Sequence, residues 1–197
     1  MGVILASSSE TRARLLRQAG VEFEVRAVGV DEAAIAQAMH AEGANAEDVA
    51  LALAKLKAVR ASANAGHAFV IGADQMLDCQ GVWYSRAKDM NEARRHLRAL
   101  RAQTHQLISA VVVAREGVEV WRHHSSAWLT MRDFSDGYLE QYLASVGTGV
   151  LAGVGCYQIE GQGIQLFSKI EGDFFTILGL PLTELLAFLR EHGVMRR

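Results

Sequence analysis

A chain of 197 residues, 50% hydrophobic and 21% charged, can bury a proper core and argues against disorder. Its formal net charge of −2 gives no global field for holding nucleic acid, so any basic patch has to be local and reads as a pocket. Nothing approaches the roughly 18 apolar residues of a membrane span and no leader pattern is visible, so a cytoplasmic protein is expected, with neither membrane nor nucleic acid among its partners.

The opening "GVILASSSETRARLL" sets a strand at Val3 to Ala6 and a helix from Thr11, with three serines as the turn between them. Ser9 suits the N-cap, but Arg12 stands where a capping box has Glu or Gln, and Arg12 and Arg14 lie at the helix's positive pole. Two readings follow. Both arginines extend into solvent while Glu10 satisfies the dipole, or Ser7, Ser9, the free N–H groups and Arg12 form a phosphate cradle. On the second reading, removing Arg12 should weaken triphosphate binding and relieve an unfavourable contact with the helix dipole.

"EFEVRAVGV" reads as a strand, and Asp31-Glu32 precedes a helix over Ala33 to Met39; Glu32 is an ordinary helix-start acid or a second acidic group of a site. A helix over Val49 to Ala63 carries Lys55, Lys57 and Arg60, and periodicity does not separate Lys57 from Lys55. "HAFVIGADQML" is a strand running into Asp74, a position for a metal ligand or base, or for a plain turn former. Gln80-Gly81 marks a hairpin turn, followed by Arg86 and Lys88 in "YSRAKD" and a helix over Met90 to Leu100.

Two strands, "HQLISAVVVAR" and "EVWRHHSSAWLTM", come next. His123 and His124 point to opposite faces and His105 stands alone, which argues against zinc. After a helix over Asp136 to Ala144, "GTGVLAGVG" lacks a phosphate-loop lysine and reads as a mobile loop. Glu160 sits in the apolar turn "CYQIEGQG", where burial would demand a partner. Its two acceptors match the N1–H and 2-amino edge of a guanine-type base, or it is a surface turn carboxylate. "GIQLFSKIEG" reads as a strand and Leu182 to Glu191 as a helix, while Cys79 and Cys156 read as buried reduced thiols. Mixed strands and helices argue α/β, and with Pro181 as the sole proline no linker divides the expected single domain 1–197.

In order along the chain, "ILASSSETRARLL", "VDE", "LALAKLKAV", "IGADQML", "THQLISAVVV", "IEGQG" and "IEGDFFTILGLPL" resemble the Maf family of nucleoside triphosphate pyrophosphatases. The resemblance implies one mixed, twisted sheet flanked by helices, with two lobes and a central cleft. It also implies hydrolysis between the α and β phosphates, assisted by Mg²⁺ or Mn²⁺ and releasing nucleoside monophosphate and pyrophosphate. Residue by residue, it assigns the acidic pair to Glu32 and Asp74 as metal and water-activating groups. Lys57, Arg12 and Arg86 become the phosphate cations, although Arg86 stands where the family has lysine and Glu10 where it has proline.

Gln75 and Glu160 resemble the 7-methyl-GTP branch, whereas the dTTP/UTP branch shows Thr and Gln there. Thr11 replaces the tryptophan usual in the 7-methyl-GTP branch, which removes an aromatic face from a cationic base. A dTTP/UTP pyrophosphatase and a non-catalytic nucleotide-binding regulator of cell division remain alternatives, and a homodimer is left open.

Overall fold

The computed structural model describes residues 2–196, so the ends of the expected 1–197 domain, Met1 and Arg197, lie outside the described residues. Among the described residues seven strands form one mixed sheet, ordered β2-β1-β3-β5-β6-β7 with β4 paired to β3. The strands are β1 (Val3–Leu5), β2 (Glu24–Val25), β3 (Phe69–Cys79), β4 (Val82–Tyr84), β5 (Thr104–Arg115), β6 (Val118–Met131) and β7 (Phe167–Glu171). Parallel pairing joins β1 to β2 and β3, and antiparallel pairing joins β3 to β4 and β6 to β7. The helices are α1 (Glu10–Gln18), α2 (Glu32–Ala41), α3 (Ala46–Ser62), α4 (Met90–Leu100), α5 (Asp136–Val146), α6 (Phe174–Ile177) and α7 (Leu182–Glu191). The expected α/β class and mixed sheet are therefore present. Among the described residues no helix is long and apolar enough to cross a membrane.

The chain forms two compact units; three of their sequence boundaries fall inside β3, β5 and β6, and the fourth falls just after β7. The first holds the chain up to Gln75, Ile108–Ser126 and everything from Asp173 onward. Strand alternation sorts its core. Val3, Leu5, Phe69, Ile71 and Ala73 join Leu15 and Leu16 of α1 and Leu185 and Leu189 of α7 in one cluster, while Ile4, Ala6 and Val70 pack with Ala61 of α3 in another. The long strand expected at "EFEVRAVGV" shrinks to β2 because both of its residues are exposed and bury nothing.

The second unit comprises Met76–Leu107 and Ala127–Gly172. Its hairpin turns at Gln80 and Gly81, with φ of 56° and 84°, and Asp78 Oδ1 accepts from Gly81 N at 2.9 Å. The expected mobile loop "GTGVLAGVG" is instead ordered. It winds into a 3₁₀ turn at Gly147–Ala152, buries Val150, and pairs Val154 with Arg86 in a β-bridge. Likewise the first half of "GIQLFSKIEG" is a 3₁₀ turn at Gln162–Leu166, and only Phe167–Glu171 is strand.

His105 is buried within β5, and its Nε2 shares a 2.7 Å hydrogen bond with Tyr157 Oη. Burial pushes its pKa from 6.5 down to about 4, so folding favours the neutral ring. That contribution is fully present above pH 6.5 and is lost as the pH falls toward 4. The loss between neutral pH and pH 4 is on the order of 3 kcal/mol. Urea unfolding of wild type and His105→Gln between pH 7 and 4 should converge as the pH falls, and a pH-independent difference would contradict this account.

Candidate active site

Ser9 caps α1 as its sequence suggests, accepting from Arg12 N at 3.4 Å. Glu10 occupies the first turn and pairs with Arg17 at 2.6 Å. Arg14 is exposed, but Arg12 turns inward and is only 9% exposed. Its Nε donates to Gly179 O at 2.8 Å, and its Nη1 donates to Ala73 O at 3.0 Å and Ser7 Oγ at 3.1 Å. The Ser7 hydroxyl also accepts from Ser9 N at 3.3 Å. Arg12 thus ties the serine turn to the middle of β3 and to the turn that follows α6. Thr11, beside it on α1, is half-buried. The expectation that losing Arg12 would relieve the helix dipole is reversed, because three charge-assisted bonds outweigh a contact worth a few tenths to about 1 kcal/mol.

Lys57 lies on the buried stripe of α3, one helical turn from Leu53 and from Ala61. Lys55, in contrast, is exposed and pairs with Glu119 at 3.1 Å. The Lys57 ammonium stands 2.6 Å from Asp74 Oδ1 and 2.6 Å from Glu32 Oε1. Gly72 allows this approach. A Cβ there would lie 2.2 Å from Ala54 O and 2.6 Å from Ala58 N, so α3 packs against the bare backbone of β3 two residues before Asp74. Glu32 enters as the first residue of α2, behind the N-cap Asp31, whose Oδ1 accepts from Ala34 N at 3.1 Å. Burial pushes the Asp74 carboxyl above its ordinary value, while Lys57 and Arg12 pull it back.

Gln75 follows Asp74, and its Nε2 donates into a cluster of acceptors: Ile177 O at 3.0 Å, Thr176 O at 3.1 Å and Ser109 Oγ at 3.1 Å. Its amide nitrogen therefore braces α6 and the turn that presents Gly179 O to Arg12. Asp173 caps α6, accepting from Thr176 N at 2.7 Å, and the Thr176 hydroxyl lies 2.6 Å from Ser125 Oγ. Sequence reasoning missed this support. The signal was Ser109, a hydroxyl inside the apolar run "LISAVVV", since a buried polar group implies a partner.

The first unit brings together Ser7, Ser9, Arg12, Glu32, Lys57, Asp74 and Gln75. The second unit carries Arg86 and Glu160. Both are exposed, so the burial argument for Glu160 fails: Tyr157 and Ile159 fill the inside of its turn. Among the described residues no group of three or more His, Cys, Asp and Glu could hold a metal, so a cation here would need ligands beyond Asp74 and Glu32.

Residues 2–192 match the family described as Maf-like protein. The chain belongs to that family. It is 55% identical over 190 residues, covering 96% of this chain and 98% of the other, to the nucleoside triphosphate pyrophosphatase of Paramagnetospirillum magneticum. It is also 49% identical over 193 residues, covering 98% and 97% of the two chains, to the 7-methyl-GTP pyrophosphatase of Rhizobium meliloti. A 7-methyl-GTP pyrophosphatase of Brucella abortus is 48% identical over 190 residues, 96% of each chain.

The three bonds from the Arg12 guanidinium predict that Arg12→Ala lowers stability by about 2 to 3 kcal/mol, read as a lower urea midpoint with an unchanged slope. A raised midpoint would restore the dipole argument.

Proposed function

We propose that the protein hydrolyses a nucleoside triphosphate at the α–β phosphoanhydride, releasing nucleoside monophosphate and pyrophosphate. The observation that carries this reading is a single buried ammonium, Lys57, shared at 2.6 Å by Asp74 and Glu32 and backed by the inward-turned Arg12. Asp74 and Glu32 both approach the Lys57 ammonium, and hard carboxylate oxygens this close to one another suit Mg²⁺ or Mn²⁺ beside it, with substrate phosphates completing the ligand set. Asp74 and Glu32 would hold the ion, and when bound it offsets charge developing on the leaving pyrophosphate.

The chain's own groups carry the remaining work. Asp74, raised by burial, takes the proton of the attacking water; these roles of Asp74 and Glu32 are interchangeable in the chemistry. Lys57 and Arg12 supply positive charge that is already oriented before the phosphates arrive, which limits reorganisation in the transition state. For Arg86 only the family resemblance supports a phosphate role, with a fork in place of a point charge. The serine turn capping α1, with Ser7 and Ser9, offers hydroxyls and N–H groups to the phosphates, and Thr11 lies on the same helix.

The favoured substrate is a modified purine such as 7-methyl-GTP, which makes the enzyme a cleaner of the cytoplasmic nucleotide pool. Two of the relatives carry that substrate in their names, and the exposed Glu160 offers two acceptors to a donor-bearing base edge. Gln75, the other residue by which the chain resembles the 7-methyl-GTP branch, follows Asp74 and braces the α6 turn through its amide nitrogen.

Asp74→Asn keeps volume and removes the base, so turnover should fall by about two or more orders of magnitude in a folded protein. Pyrophosphate release from 7-methyl-GTP, GTP, UTP and dTTP, with Mg²⁺ or Mn²⁺ and after EDTA, reads this directly. Near wild-type turnover of Asp74→Asn removes Asp74 from the mechanism. Fastest turnover of dTTP or UTP overturns the purine assignment, and release at the no-enzyme blank for every nucleotide favours the non-catalytic regulator.

A further inference from the structure

The segment 155–163 is wound more tightly than an exposed turn requires. Gly155 and Cys156 are consecutive residues in the left-handed region, with φ of 77° and 62°, and the second has a Cβ. A Cβ on Gly155 would lie 2.4 Å from Tyr157 Cε1 and 2.7 Å from Leu77 Cδ1, so the Tyr157 ring lies against bare backbone. That ring is 7% exposed and meets Phe167 edge-on at 4.8 Å. Its hydroxyl reaches His105 Nε2 at 2.7 Å, while His105 Nδ1 is buried without a hydrogen-bond partner. A purely structural contact would be served as well by two apolar side chains, without an orphaned ring nitrogen or a strained cysteine.

Beyond Tyr157 the chain closes on itself. Gly161 N donates to Gln158 O at 3.2 Å, and a Cβ on Gly163 would lie 2.5 Å from that same oxygen. Ser145 Oγ donates to Gln162 Oε1 at 2.7 Å. Tyr157 fixes one end of this turn and Gly163 the other, and Glu160 stands exposed between them.

We propose that His105 and Tyr157 are positioning residues for Glu160: their buried hydrogen bond locks the turn so that the carboxylate is presented to the base without being ordered on binding. This rests on the reading above that Glu160 meets a guanine-type base. Pre-organisation of this kind lowers the entropic cost of binding and so acts on KM and base preference, leaving the chemical step alone.

The test is a double-mutant cycle of Tyr157→Phe and Glu160→Gln, with His105→Gln as a second way to break the bond. Steady-state kinetics are measured on 7-methyl-GTP, GTP and UTP. Tyr157→Phe keeps the ring and should raise KM for both guanine nucleotides about 3- to 10-fold at unchanged kcat, with UTP unaffected. In the double variant, base preference should fall no further than in Glu160→Gln alone. Equal effects of Tyr157→Phe on all three nucleotides, or losses that multiply in the double variant, overturn the positioning role. Unchanged base preference in Glu160→Gln itself overturns the base-reading role of Glu160, and this proposal with it.

Discussion

A lysine ammonium buried between two carboxylates is the constraint on which the first unit's site depends. Lys57 is 6% exposed and Asp74 5%, so neither charge is sustained by water. Each is tolerable because the other lies 2.6 Å away, and because Glu32 brings a second carboxylate from the solvent side. The backbone makes the pairing possible. Only glycine at position 72 lets α3 approach β3 closely enough for a lysine on the helix's apolar stripe to meet an aspartate on the strand.

Arg12 follows the same logic from another direction. Its side chain could have been exposed, as that of Arg14 is, yet it bridges Ser7, Ala73 and Gly179. The carbonyl of Gly179 is available because α6 is capped by Asp173 and braced by Gln75 and Ser109. Charge on the serine turn is therefore oriented by hydrogen bonds from sequence-distant segments, the condition under which fixed charge acts on a transition state without reorganising.

Much of the fold was legible where one local signal dominated. The helices Met90–Leu100 and Leu182–Glu191 coincide with their expected bounds because apolar periodicity ends at clear signals: Asp89 caps the first and Pro181 precedes the second. The 3₁₀ turns were illegible, since they have no hydrophobic period and their glycines imitate a loose loop. At the site, Ser9 was readable from cap chemistry, whereas Asp74, expected where a strand ends, lies in the middle of β3, because the apolar strand continues through Met76 and Leu77. Lys57 was harder. Periodicity did not separate it from Lys55; that needed the strand beneath the helix, and the resemblance to a family supplied it before the structure did. Glu160 misled because apolar neighbours suggested burial, whereas Tyr157 and Ile159 turn inward and leave it outside.

The buried pair is tested most directly by comparing the urea stability of wild type, Lys57→Met and the double variant Lys57→Met/Asp74→Leu. Removing the ammonium alone leaves a buried carboxylate uncompensated and should cost about 3 to 5 kcal/mol, while replacing both partners by apolar groups should recover at least half of that in a protein that stays inactive. Lys57→Met as stable as wild type, or a double variant less stable than the single, would contradict the claim that this ion pair organises the site.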